Sequence, residues 1–218
     1  MDWAALRLSL QIGLSSTALA IFIGIPIAYA LAHYRFKGYR FINALVLTPM
    51  LLPPTVLGYY LLQFLGSNGP AGRFTEAIFK FSPVFHWTGA TLAAFVVSAP
   101  FLVRAAQAGF ESVDTKLEDA AKAHGIGPLS VFLKITVPLA APSIGAGIAM
   151  ALARSIGEFG ATIMIAGNIP GETRTMPIAI YDAVQSGRIN DAQISALALS
   201  FVSVGLLMLA SSFFVRKR

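Results

Sequence analysis

Arg154 and Glu158 are opposite charges four residues apart in a stretch that is otherwise apolar or small, Ala151-Leu152-Ala153-Arg154-Ser155-Ile156-Gly157-Glu158-Phe159-Gly160-Ala161. On a helix that spacing puts both side chains on one face. A charge at the bilayer centre costs about 2.5–3.5 kcal/mol on insertion scales, so two unrelated ones would be an unusual accident. The commoner reading is mutual neutralisation. The sharper one sets Arg154 on the path of an anion, with Glu158 holding it in place. A second group, Thr173-Arg174-Thr175 with Thr162 upstream, offers hydroxyl and guanidinium donors compatible with an anion at an outer mouth. The absences are equally informative. There is no cysteine, so disulfide, thiol and cysteine–zinc chemistry are excluded. No G-x-x-x-x-G-K-[ST] string occurs, so the chain has no loop of the kind that cradles ATP phosphates. The expectation is a non-catalytic chain that binds no cofactor and no metal.

The elements that must position these residues are membrane spans. Of 218 residues, 56% are hydrophobic and 12% charged, about half the charged share of a soluble domain. Five apolar stretches approach or exceed the ~20 residues a helix needs to cross a bilayer. They cover about 8–32, 41–65, 87–110, 139–165 and 194–215. Backbone groups in lipid must be satisfied internally, and nothing alternates as barrel strands do, so the expected fold is an all-α integral membrane protein of one domain, 1–218. Ala28-Tyr29-Ala30 has the look of a cleavage site. The apolar run before it is too long for a signal peptide, however, and its basic cluster follows rather than precedes, so it is read as a retained span.

Net charge is +6. In a soluble chain that would raise nucleic acid as a partner. Here the lysines and arginines are read as orienting the spans, with no nucleic-acid partner. Nine basic residues fall in one set of loops: Arg35, Lys37, Arg40, Lys116, Lys122, Lys134, Arg216, Lys217 and Arg218. Five fall in the other: Arg7, Arg73, Lys80, Arg174 and Arg188. The bias predicts a multi-pass protein of the inner or plasma membrane, N-terminus outside and C-terminus cytoplasmic. Of the outer connections, 66–86 reads as an irregular loop. In 167–193 the turn residues Gly167-Asn168-Ile169-Pro170-Gly171 precede a short helix expected over Met176 to Gln185.

The inner connection between the third and fourth spans, 115–137, is different again. Thr115-Lys116-Leu117-Glu118 has the form of a capping box, and Gly125 stands where a helix needs a left-handed residue past its end. A helix over Lys116 to His124 would be ~14 Å long, too short to cross the membrane. Leu117, Ala120, Ala121 and His124 share one face, framed by Glu118, Asp119 and Lys122. Gly127-Pro128 then turns the chain, Leu129 to Ile135 runs along the membrane surface, and Pro138 opens the next span.

Asp119-Ala120-Ala121, three residues, Gly125, nine residues, then Ile135-Thr136-Val137-Pro138 resembles the EAA loop of the permeases of ATP-binding-cassette importers. That pattern is Glu-Ala-Ala, three residues, Gly, nine residues, Ile-x-Leu-Pro. The spacing matches throughout, with Asp119 for the usual Glu and Val137 for the usual Leu. The resemblance implies a type I, binding-protein-dependent importer permease with coupling helices between spans 3 and 4. Glu118, Asp119, Ala120, Ala121, Gly125, Ile135 and Pro138 would then serve ATPase coupling. The partners it implies are separate ATP-binding-cassette ATPase subunits, an extracytoplasmic substrate-binding protein and a second copy of the chain, all at a lipid bilayer.

Arg154-Ser155-Ile156-Gly157-Glu158-Phe159-Gly160-Ala161-Thr162 and Asn168-Ile169-Pro170-Gly171-Glu172-Thr173-Arg174-Thr175 further resemble the oxyanion branch of that family, closest to molybdate permeases. Sulfate or thiosulfate, tungstate and thiamine stand as alternatives. Outside the class stands a secondary transporter driven by an ion gradient, for which Arg154 and Glu158 would suit an ion relay. The outer loop has an equal claim to being structural, or to docking the binding protein.

Overall fold

The computed structural model describes residues 2–34 and 37–214, with side chains described to residue 209, and every regular element in it is a helix. Arg35, Arg216, Lys217 and Arg218, which weigh in the expected orientation, and Val215 at the expected end of the fifth span, lie outside the described residues.

Helix α1 runs Trp3–His33. Its start is fixed by Asp2, whose carboxylate accepts from the Ala5 amide at 3.0 Å. A π-turn at Ala20–Gly24 ends two residues before Pro26. The same device recurs far away: the π-turn Phe132–Thr136 ends two residues before Pro138, with the Val137 amide reaching back to the Phe132 carbonyl. Proline lacks an N–H, and its ring crowds the carbonyl four residues back. Widening the turn at that point lets the helix continue. The chain from Pro128 is therefore one helix, α7, Pro128–Ile156. Two expectations are refined: residues 129–135 are continuous with the helix that follows them rather than a separate segment, and 139–165 is not one helix, since α7 ends at Ile156.

The second span is corrected more sharply. The stretch 41–65 is two helices, α2 Tyr39–Leu51 and α3 Pro54–Leu65, bent by 115°. Pro53 forces the residue before it out of helical geometry, and Leu52 is extended at φ −80°, ψ 142°. The outer connection 66–86 is not irregular throughout: α4 covers Pro70–Phe79, with proline in its first turn and Lys80 closing it in left-handed geometry. The expected third span matches α5, Trp87–Glu111. Helix α6 is Thr115–Ala123, α8 is Gly160–Ala166 and α9 is Met176–Gln185, the last with the bounds expected from its spacing. Helix α10, Ile189–Phe214, begins earlier than residue 194, with Asp191 in its first turn.

Helix α5 is the hub. It packs against α1, α7 and α8, and 61% of its most apolar window is buried, against 11% for α10, which is peripheral. Small residues set the α5–α7 approach. A methyl group on Gly147 would lie 2.9 Å from the Ala105 methyl and 3.1 Å from Leu102 Cα, and one on Gly109 would lie 2.6 Å from Ser143 Cβ. Helix association in lipid relies on such close packing, because lipid tails are as apolar as the side chains. Gly147→Leu is expected to cost about 1–3 kcal/mol by overpacking, seen as a lower melting temperature in detergent. Gly157→Ala, whose new methyl would meet nothing nearer than 3.7 Å, is the matched neutral control. Equal melting of the two variants would refute this account of the seam.

Candidate functional site

Helix α6 closes with a Schellman motif. The Ile126 amide donates to the Ala121 carbonyl at 3.1 Å and the Gly125 amide to the Lys122 carbonyl at 2.9 Å. Gly125 has φ +78°, and the space where its Cβ would stand is empty. Glycine is thus set there by backbone conformation rather than by crowding. The start of the helix differs from expectation. The N-cap is Asp114, whose carboxylate accepts from the Lys116 amide at 2.9 Å. Thr115 is the first helical residue, so the expected capping box does not form.

That releases Glu118, which turns away from the exposed side and is 4% exposed. Its Oε1 accepts from the Thr136 hydroxyl at 2.5 Å and lies 3.4 Å from His33 Nε2. The charged frame expected of Glu118, Asp119 and Lys122 is therefore reduced to Asp119 and Lys122, paired at 3.2 Å on the exposed side. Leu117, Ala120 and His124 are exposed, Ala121 half-buried. With Ile126, Leu129 and Leu133, also exposed, they leave an apolar surface around the α6–α7 turn. Ile135 is half-buried and Pro138 exposed, on α7. His33 and Thr136 did not emerge from sequence as site residues. His33 is 85 residues from Glu118, and no local pattern joins them.

Arg154 and Glu158 do pair, at 2.7 Å, but not along one helix. Helix α7 ends at Ile156, and Glu158 sits in the break before α8. Its second oxygen accepts from the Ala161 amide at 2.7 Å, serving a backbone donor freed by the break. The two partners differ in exposure: the Glu158 side chain is 1% exposed and that of Arg154 30%. The carboxylate is an internal fastener, while the guanidinium keeps part of its surface free. This break packs on the other one, at Leu52–Pro53. A methyl on Gly160 would lie 2.9 Å from Pro54 Cβ and 3.3 Å from the Thr55 nitrogen, and one on Gly58 would lie 2.8 Å from Met164 Cβ. Irregular backbone at membrane depth is tolerated where it is buried in protein or lines a water-filled path. The adjacent Pro53 and Pro54 are the sequence feature that could have marked the partner break, inside the stretch expected as one span.

The outer loop is largely self-satisfied. The Ile169 carbonyl accepts from the amides of Glu172, Thr173 and Arg174, and the Thr173 hydroxyl accepts from the Ile169 amide at 3.1 Å. Arg174 donates from Nε to Asn168 at 2.7 Å and stands 3.7 Å from Asp182, which also takes Arg188 at 2.8 Å. Thr173 and Thr175 are buried. The trio is thus not an exposed row of donors: hydrogen bonding folds the loop onto α9. Thr173 still borders a cavity of about 400 Å³ with Arg7, Gln11, His86 and Trp87. Arg104, on α5, donates to Gln107 at 3.2 Å.

Comparison with known proteins fits this arrangement. Residues 20–217 match the family described as binding-protein-dependent transport system inner membrane component. The molybdenum transport system permease protein ModB of Haemophilus influenzae is 39% identical over 218 residues, covering 100% of this chain and 95% of the relative. ModB of Escherichia coli K12 is 40% identical over 209 residues, covering 95% and 91%. Among solved structures, a bacterial ABC transporter involved in the import of the acidic polysaccharide alginate superposes with TM-score 0.72 at 17% identity, covering 97% of this chain and 80% of that one. The inward-facing MetNI methionine ABC transporter superposes at 0.73 and 19%, covering 96% and 93%. The structural likeness carries the fold, and the full-length sequence matches carry the family: the chain belongs to the inner membrane components of binding-protein-dependent transport systems.

Proposed function

We propose that this chain is the permease subunit of an ATP-driven importer that moves molybdate or a closely related tetrahedral oxyanion inward. The observation that carries the reading is the agreement in kind between the full-length molybdenum-transport relatives and an apolar, exposed surface built on the capped helix α6. A short helix closed at both ends moves as a rigid unit, and an exposed apolar patch marks a partner's seat. The partner in this reading is a separate ATPase subunit, which places α6 in the cytoplasm, the N-terminus outside and the C-terminus inside. A second copy of the chain completes the path, and an extracytoplasmic binding protein delivers the anion. A solved structure of similar fold supports a partner of this kind: a bacterial alginate ABC transporter in complex with an alginate pentasaccharide-bound periplasmic protein.

ATP-driven closure of two ATPase subunits would draw the two α6 helices together. The attached spans would then rock between outward- and inward-open packings. Arg154, partly exposed and fastened by buried Glu158, is the residue of this chain best placed to offer charge to a passing anion. Tight binding there would slow release, so selectivity belongs to the binding protein.

The test is co-purification with the ATPase and binding protein, then reconstitution. Molybdate is expected to stimulate ATP hydrolysis and uptake where sulfate does not, and tungstate ranks beside it. Uptake by the chain alone under an ion gradient, without ATPase, would establish a secondary transporter instead.

A further inference from the structure

Helix α6 is joined covalently to α5 through residues 112–114 and to α7 through residues 124–127. No short connection ties it to α1. Glu118 makes that tie. Its carboxylate sits where three elements meet: α6 itself, the π-turn of α7 through Thr136, and the end of α1 through His33. On the other side of the ring, His33 Nδ1 stands 3.2 Å from the Tyr29 carbonyl. The ring is thus held between the Tyr29 carbonyl on one side and the Glu118 carboxylate on the other, both of them acceptors. Aromatic rings wall the site. Tyr29 stacks on His33 at 4.2 Å, and Phe110 and Phe132 meet Tyr29 edge-on at 5.5 and 4.7 Å. Little water reaches the carboxylate, which strengthens each of its contacts.

We infer that Glu118 is a positioning residue that clasps the coupling helix to the first span, so that one movement of α6 carries the inner ends of α1 and α7 with it. Covalent linkage alone would drive α5 and α7 and leave α1 to follow through packing. The inference rests on the coupling role proposed for α6. It assigns Glu118 no contact with the ATPase, since the side chain faces inward.

The experiment uses the full complex in proteoliposomes and measures ATP hydrolysis and molybdate uptake together. In Glu118→Ala and His33→Ala the ATPase is expected to co-purify and hydrolyse ATP, while uptake per ATP falls by about tenfold, the scale of one charge-assisted hydrogen bond. His33→Arg, which presents guanidinium donors to Glu118, is expected to retain coupling. The double variant of Glu118→Ala with His33→Ala is expected to be no worse than Glu118→Ala, because both remove one link. Thr136→Val conserves volume and the His33–Glu118 contact, and is expected to lower uptake per ATP by a few fold through loss of one hydrogen bond. It gives a reading even if Glu118→Ala fails to assemble. Unchanged coupling in His33→Ala or Thr136→Val, or multiplied losses in the double variant, would overturn the clasp. If those variants couple normally while Gly125→Val uncouples, the clasp alone fails. If Gly125→Val also couples normally, the lever fails with it.

Discussion

Glu158→Gln is expected to destabilise the permease by about 3 kcal/mol, the scale of removing one partner from a buried ion pair. Glutamine can still accept from the Ala161 amide, so the break before α8 keeps its backbone partner. What it cannot supply is charge. Arg154 would keep its cation without a carboxylate partner, 30% exposed, and that partial exposure holds the cost to the lower end of the range. The checks are yield of folded protein, melting temperature in detergent and molybdate uptake. The double replacement Arg154→Met with Glu158→Gln, which removes both charges and keeps an acceptor for the Ala161 amide, separates the two roles. Removing both charges is often neutral for stability, so assembly should return. If uptake returns too, the pair is a fastener only. If assembly returns and uptake does not, Arg154 serves the anion's path. Wild-type melting in Glu158→Gln would mean that the pair is not needed.

Gly125→Val is expected to uncouple ATP hydrolysis from uptake without unfolding the spans. There is room for the side chain, because no atom lies within 4 Å of the new Cβ. The cost is conformational: a β-branched residue at φ +78° is disfavoured by about 1–2 kcal/mol. The chain can relieve it only by giving up the Schellman bonds from Ile126 and Gly125, which fix how α6 meets α7. The strain falls on the joint and not on the bundle. The melting temperature should therefore move little, while uptake per ATP drops by about tenfold, the equivalent of 1.4 kcal/mol at the joint. Gly125→Asn, which tolerates left-handed geometry, should retain most of the coupling. A valine variant that transports as wild type would remove the rigid lever from the mechanism.

Much of this protein could be read from one dimension. Length of apolar stretch and scarcity of charge required membrane helices, because lipid offers backbone groups no partner. The position of α5 followed from an apolar stretch and the bounds of α9 from local spacing, and Gly125 was placed by the geometry that helix ends demand. Charge four residues apart foretold that Arg154 and Glu158 would meet. Tertiary structure decided the rest, for physical reasons that act across the chain. Proline's effect depends on what surrounds it: Pro138 is absorbed by a π-turn within a continuous helix, whereas Pro53-Pro54 bends the chain by 115° against the break beside Gly160. Asp114, one residue before the expected cap, took the helix start and left Glu118 without a local partner. Glu118 found its partners on α1 and α7, at sequence separations of 85 and 18. A buried carboxylate must be satisfied by whatever groups the fold brings to it, and no periodicity along the chain can say which those are.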